Sequence, residues 1–141
     1  MSTLRSCALC LIAIFSILGG PVLAADAPPG DLFGRLKAKV KDDQPFQLLV
    51  RIRLKPGTEE KFAAEAAKAA KATAAEPGCE HYAFFEDLEA PGTVILFEKW
   101  KSTAALKSHL EQPYTVSLLK QIVDIGAEPT IQLLRPLPAP K

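Results

Sequence analysis

Residues 94–114 read VILFEKWKSTAALKSHLEQPY, and the change of period along them decides the fold. Val94-Ile95-Leu96-Phe97 runs into Glu98 and Trp100 as a strand, with Val94, Leu96, Glu98 and Trp100 at its even positions. Ser102 or Thr103 then caps a helix carrying Ala105, Leu106, His109 and Leu110. Pro113 interrupts this helix, and Tyr114 to Val123 resumes it. The only Trp and one of the two His therefore meet at a strand-to-helix junction, where rigid elements can hold a site open to solvent.

Working outward, Phe46 to Leu54 alternates as a strand, with Leu48, Val50, Ile52 and Leu54 on one face and Gln47, Leu49, Arg51 and Arg53 on the other. Pro56-Gly57 ends it. Gly57 or Thr58 caps an Ala-rich helix running to about Glu76, with Phe62, Ala66, Ala69, Ala70 and Thr73 on one stripe. Pro77-Gly78 stops that helix. Cys79 to Asp87 is a second strand, with Tyr82 and Phe84 on one face and His81, Ala83 and Phe85 on the other. Thr93 to Lys101 is the third strand, and Thr130 to Arg135, after Pro129, the fourth. The order βαββαβ predicts an α+β ferredoxin-like sandwich, one four-stranded antiparallel sheet with helices on one face. The other face would carry Leu49, Val94, Leu96 and Trp100 mixed with Arg51 and Glu98, uncovered by any helix. A second copy of the chain, sheet against sheet, is the economical cover, and the pair would form a dimeric α/β barrel.

The chain's ends read differently. Within residues 1–24, Arg5 precedes an apolar run, Cys7 to Leu18; Gly19-Gly20-Pro21 breaks it and Val22-Leu23-Ala24 ends it in small residues. This predicts a secretory signal cleaved after Ala24, a run short for a membrane span, and a secreted or periplasmic product with no stable membrane anchor. The mature chain keeps 117 of the 141 residues, one domain's worth. Of 17 basic side chains only Arg5 leaves, so 16 face 16 acidic ones, and nothing argues for nucleic acid. Arg35, Lys37, Lys39 and Lys41 are balanced by Asp31, Asp42 and Asp43. Residues 25–45 form a leader in which Asp31 could cap a short helix over Leu32, Phe33, Leu36 and Val40; residues 46–136 form the domain, and 137–141 a Pro-rich tail. Cys79 is left as a lone thiol, expected to be buried. Two His and one Cys without close spacing do not make the usual metal ligand set. No G-x-G-x-x-G, phosphate-cradling or Ser-nucleophile motif occurs.

In order and at these spacings, E-P-G-C at 76–79, E-x-W at 98–100, A-L-x-x-H-L at 105–110 and the closing IQLLRPL resemble the antibiotic-biosynthesis monooxygenase domain, most closely the cofactor-free quinol monooxygenases, over about residues 46–137. The resemblance implies a dimeric α/β barrel that oxidises a quinol or polyphenol-like small molecule with molecular oxygen and takes no flavin, haem or metal. Two departures stand out. Relatives often carry a second His after the Pro where this chain has Tyr114, and haem-degrading relatives use an Asn, a residue absent from this chain.

Oxygen reacts far more readily with a phenolate than with a phenol, so the chemistry needs a base, and His suits neutral pH. His109 is the candidate base; the alternative is a His bonded for structure. Trp100 could wall a planar substrate or serve as core. Glu98 could orient His109 or pair with Arg51 across the sheet. Tyr114, Tyr82 and Arg51 are the candidate substrate contacts, with Tyr82 equally placed for packing, while His81 alternates away. The same barrel could instead be a non-catalytic small-ligand-binding or stress-related protein.

Overall fold

The computed structural model describes residues 32–41 and 44–137; the signal expected at 1–24, the Asp31 cap and most of the Pro-rich tail, 138–141, lie outside them. Pro-Gly pairs at 56–57, 77–78 and 91–92 separate the elements, as a residue without an N–H followed by one without a Cβ should. A short helix α1 (Leu32–Lys39) precedes β1 (Phe46–Arg53), α2 (Glu59–Thr73), β2 (Cys79–Glu86), β3 (Thr93–Trp100), α3 (Thr103–Leu110), α4 (Pro113–Asp124) and β4 (Glu128–Leu134). The strands form one antiparallel sheet in the order β2-β3-β1-β4, the α+β ferredoxin-like βαββαβ architecture. Among the described residues no helix is long and apolar enough to cross a membrane.

Local signals account for most boundaries. Ser102 caps α3 by accepting from the Ala105 amide at 3.2 Å, and Pro113 takes the first turn of α4, where its missing N–H costs nothing. Helix α4 ends in a Schellman motif: Gly126 has φ +61°, and Ala127 N–H donates to the Ile122 carbonyl at 3.1 Å. Thr58 precedes α2 but makes no side-chain cap, because its hydroxyl donates back to the Lys55 carbonyl at 2.7 Å. Helix α2 stops at Thr73, three residues before Glu76, which leaves Glu76 in a turn. β4 begins at Glu128, so Pro129 lies inside it, as an edge strand allows.

The register of β1 on β3 corrects the expected faces. Leu48 sits opposite Glu98, Val50 opposite Leu96, Ile52 opposite Val94 and Phe46 opposite Trp100. Directly opposed residues share a face, so Leu96, Glu98 and Trp100 lie with Leu48 and Val50 beneath the helices, not with Leu49 and Arg51. The helix-covered core joins Phe46, Leu48, Ile52 and Trp100 to Phe62, Ala66 and Ala69 of α2, Leu106 of α3 and Leu118 and Ile122 of α4. The open face carries Leu49, Ile95, Phe97, Ala83, Phe85 and Gln132 instead. Helix α1 closes the far edge: Arg35 donates to the Ile131 carbonyl of β4 at 2.7 Å, Arg135 donates to the Lys39 carbonyl at 2.6 Å, and Leu36 enters the core.

Gly78 is where the α3 end of the fold closes. A Cβ built there would stand 2.2 Å from the Ala105 side chain, so only glycine lets the turn before β2 pass under α3. Gly78→Ala should lower stability by about 1–3 kcal/mol through overpacking, and the double variant Gly78→Ala/Ala105→Gly should recover part of it. Urea unfolding midpoints of the two proteins check this.

Candidate active site

The site grows from three chain segments that the sheet and helices bring together. The last turn of α3 delivers His109, the first turn of α4 delivers Tyr114 and Thr115, and the turn between α2 and β2 delivers Glu76. His109 Nδ1 lies 2.6 Å from Glu76 Oε1, and the Tyr114 hydroxyl donates to the same oxygen at 2.6 Å. With Glu76 as a carboxylate acceptor, Nδ1 is the donor in this contact, and in the neutral imidazole the lone pair then falls on Nε2. The Thr115 hydroxyl stands 3.4 Å from both ring nitrogens. His109 is 2% exposed, whereas the Glu76 side chain keeps 13%, so the carboxylate links a buried imidazole to the surface.

Aromatic rings from the sheet form the floor. Trp100 lies 4.7 Å from the His109 ring and Tyr82 5.2 Å, while Tyr114 closes a third side at 6.3 Å. Trp100 donates its indole N–H to Glu98 Oε2 at 2.6 Å. Burial pushes the Glu98 carboxyl up to about 7, against the pull of the Trp100 hydrogen bond, and the charge of Glu76 adds to the rise. Burial also raises Tyr82 strongly, with Glu98 next, so its phenol stays neutral. Tyr114 is pushed up to about 12 by burial and by its bond to Glu76. Cys79, partly buried beside this group, is raised by burial and by Glu76, which makes it a poor thiolate.

Of the residues singled out in the sequence, His109, Trp100, Glu98, Tyr82 and Tyr114 come together here. Arg51 does not. It lies on the open face, half exposed and ion-paired with Asp87, beside a separate hollow with Arg53, Lys55 and Thr130. The expected Glu98–Arg51 pair is therefore absent, because the two side chains leave the sheet on opposite faces. Glu98 does not orient His109 either; that contact belongs to Glu76, 33 residues away in sequence. Glu76 stood in the sequence as the last residue before a Pro-Gly stop. A carboxylate at such a stop was its only signal. His81 points to the open face, its ring 5.4 Å from Phe97.

A cleft of about 690 Å³ opens between α2 and the outer edge of β2 and reaches Tyr82. Since the Tyr82 ring also flanks His109, it is the wall between cleft and imidazole. Among the described residues no group of three or more His, Cys, Asp or Glu is placed to hold a metal ion.

A carboxyl raised by burial is more stable protonated. Its contribution is full below pH ~4.5 and is lost as pH rises through about 7. Glu98→Gln keeps an acceptor for Trp100 and removes the charge. It should leave stability at pH 5 nearly unchanged and raise it at pH 8 by about 1–3 kcal/mol, read from urea unfolding at the two pH values.

Residues 45–117 match the family described as antibiotic biosynthesis monooxygenase. The chain is 32% identical over 87 residues to the uncharacterized protein sll1783 of Synechocystis, an alignment covering 62% of this chain and 59% of that protein, so it spans about six-tenths of that relative. It is 27% identical over 99 residues to YgiN of Escherichia coli, named a probable quinol monooxygenase, covering 63% of this chain and 95% of YgiN. The fold superposes on the crystal structure of PA3566 from Pseudomonas aeruginosa with a TM-score of 0.63 at 22% identity, covering 70% of this chain and 99% of the other.

Proposed function

The chain belongs to the antibiotic biosynthesis monooxygenase family, and from that premise we propose that it is an exported, cofactor-independent monooxygenase that oxidises a quinol or polyphenol-like small molecule with molecular oxygen. The observation that carries this reading is the Glu76–His109 contact: with Glu76 accepting from Nδ1, the neutral imidazole presents its Nε2 lone pair among the Trp100, Tyr82 and Tyr114 rings. Export rests on the signal-like residues 1–24.

In this reading the substrate ring lies in the cleft against Tyr82, whose ring turns aside to let the phenolic hydroxyl reach His109, and His109 Nε2 takes the proton. The phenolate passes one electron to dioxygen, and the two radicals combine at a ring carbon as a peroxide. The peroxide takes the proton back from Nε2; the ring carbon then gives up its C–H proton, that bond's electrons form the C=O as the O–O bond breaks, and the outer oxygen departs with both protons as water. For a quinol with a free ring C–H the balance is one dioxygen consumed, one hydroxyquinone and one water formed. Glu76 stabilises the imidazolium that exists between the two transfers, and Tyr114 holds Glu76 in place where relatives often have a second His. Glu98, with its carboxyl near neutrality, sets the Trp100 indole by accepting its N–H.

Oxygen uptake by purified, metal-free protein with a quinol tests this. His109→Ala should reduce the catalysed rate by about 10²–10⁴-fold; equal uptake by both proteins above the uncatalysed rate removes His109 from the mechanism. Glu76→Gln should reduce kcat more than it changes KM, since it acts on the imidazolium and not on substrate contacts.

The open sheet face supports a second part of the proposal, a homodimer. Leu49, Ile95 and Phe97 are partly buried there, and Phe85 is 51% exposed, an apolar surface without a helix. Phe97→Glu should convert a dimer to a monomer in sedimentation experiments.

One observation favours a rival reading as a non-catalytic ligand binder: the cleft ends on Tyr82, and His109 is 2% exposed behind it. A protein that binds phenols but consumes no oxygen would establish that reading.

A further inference from the structure

The cleft between α2 and β2 has a composition that selects by charge. Phe62 and Phe84 meet edge to face at 6.0 Å and Tyr82 and Phe84 at 5.5 Å, so its inner wall is a run of aromatic rings. Its outer wall is the stripe Ala63, Ala67 and Ala70 of α2, whose side chains end at Cβ and leave the slot open. At about 690 Å³ it falls within the range of small-molecule sites. The turn after α2 makes helix and strand run antiparallel, so Glu59 and Glu60 at the start of α2 meet Glu86 at the end of β2. These three exposed carboxylates line one end of the cleft, and among the described residues no Lys, Arg or His lines it. The α2 N-terminus offsets them by only about half a positive charge. β2 is also the edge of the sheet, so its outer backbone groups offer hydrogen bonds to hydroxyls.

We propose that this cleft binds uncharged or cationic phenols, stacked on Tyr82 and Phe84, and that the Glu59–Glu60–Glu86 end turns away anionic ones. The slot and its charge concern binding alone; that the bound phenol is then oxidised rests on the function proposed above.

Three redox-stable probes test it: 2-naphthol, 6-hydroxy-2-naphthoate and (6-hydroxynaphthalen-2-yl)methylammonium, titrated by calorimetry and by amide chemical shifts at low salt. The naphthol and the ammonium should bind and shift the amides of Phe62, Tyr82 and Phe84, and the naphthoate should bind about tenfold more weakly or worse, a gap that added salt narrows. Glu59→Gln/Glu60→Gln/Glu86→Gln, all at exposed positions, should bring the naphthoate within about twofold of the naphthol. Ala67→Phe, which fills the slot from an exposed helix position, should abolish binding of all three while the thermal melt stays cooperative. Equal affinities of naphthol and naphthoate for the unmodified protein, shifts at another surface, no binding of any probe, or shifts that follow protein concentration instead of probe, as a second copy seated in the cleft would give, each overturn the proposal. An inactive protein that binds with this charge order refutes the oxidation and keeps the binding site. An active protein indifferent to probe charge does the reverse.

Discussion

One antiparallel register, Val50 opposite Leu96, sets which half of β3 faces the helices, and the site depends on it. A slip of one residue would send Glu98 and Trp100 to the open face and bring Phe97 and Lys99 inward. In the observed register Trp100 is fully buried, and its indole N–H would be unsatisfied but for Glu98 two residues earlier on the same face. The cost of burying that carboxylate appears in its elevated protonation range. Neither group tolerates burial alone; together they make a polar pair in an apolar layer, against which the His109 ring packs.

Above this layer, three short-range devices bring Glu76, His109 and Tyr114 to one point. The Ser102 cap fixes where α3 begins and so where His109 falls in its last turn. Pro113 starts α4 three residues after α3 ends at Leu110, which aims Tyr114 and Thr115 back at the imidazole. Gly78 lets the α2–β2 turn lie against α3 closely enough for Glu76 to reach Nδ1. The constellation thus sits on helix ends and a tight turn, elements whose geometry is set by caps and sterics more than by long loops.

The arrangement separates two tasks. His109 and the rings lie in the buried interior, while Glu76 keeps contact with solvent and the cleft along β2 approaches from the other side of Tyr82. In the proposed reading a proton leaves by way of Glu76 while an aromatic ligand arrives through the cleft. Tyr82, neutral throughout the physiological range, divides the two regions.

By itself the sequence determined the element order, the antiparallel fold and the rare residues of the site. Alternating apolar positions, Pro-Gly stops and a Ser cap are local signals that act over a few residues, and the βαββαβ order then leaves few topologies. Apart from element ends that shifted by two or three residues, its failures concern which residues face one another. Alternation along β3 separates odd from even positions but does not say which set is inside, so it is equally consistent with Trp100 and Glu98 beside Arg51, on the face they do not occupy. Glu76 carried no sign of its partner because 33 residues separate it from His109. Both were decided by tertiary packing: the strand register chooses the buried face by which one the helices can cover, and the contact between a turn and a helix end exists only after α3 has docked beside Gly78.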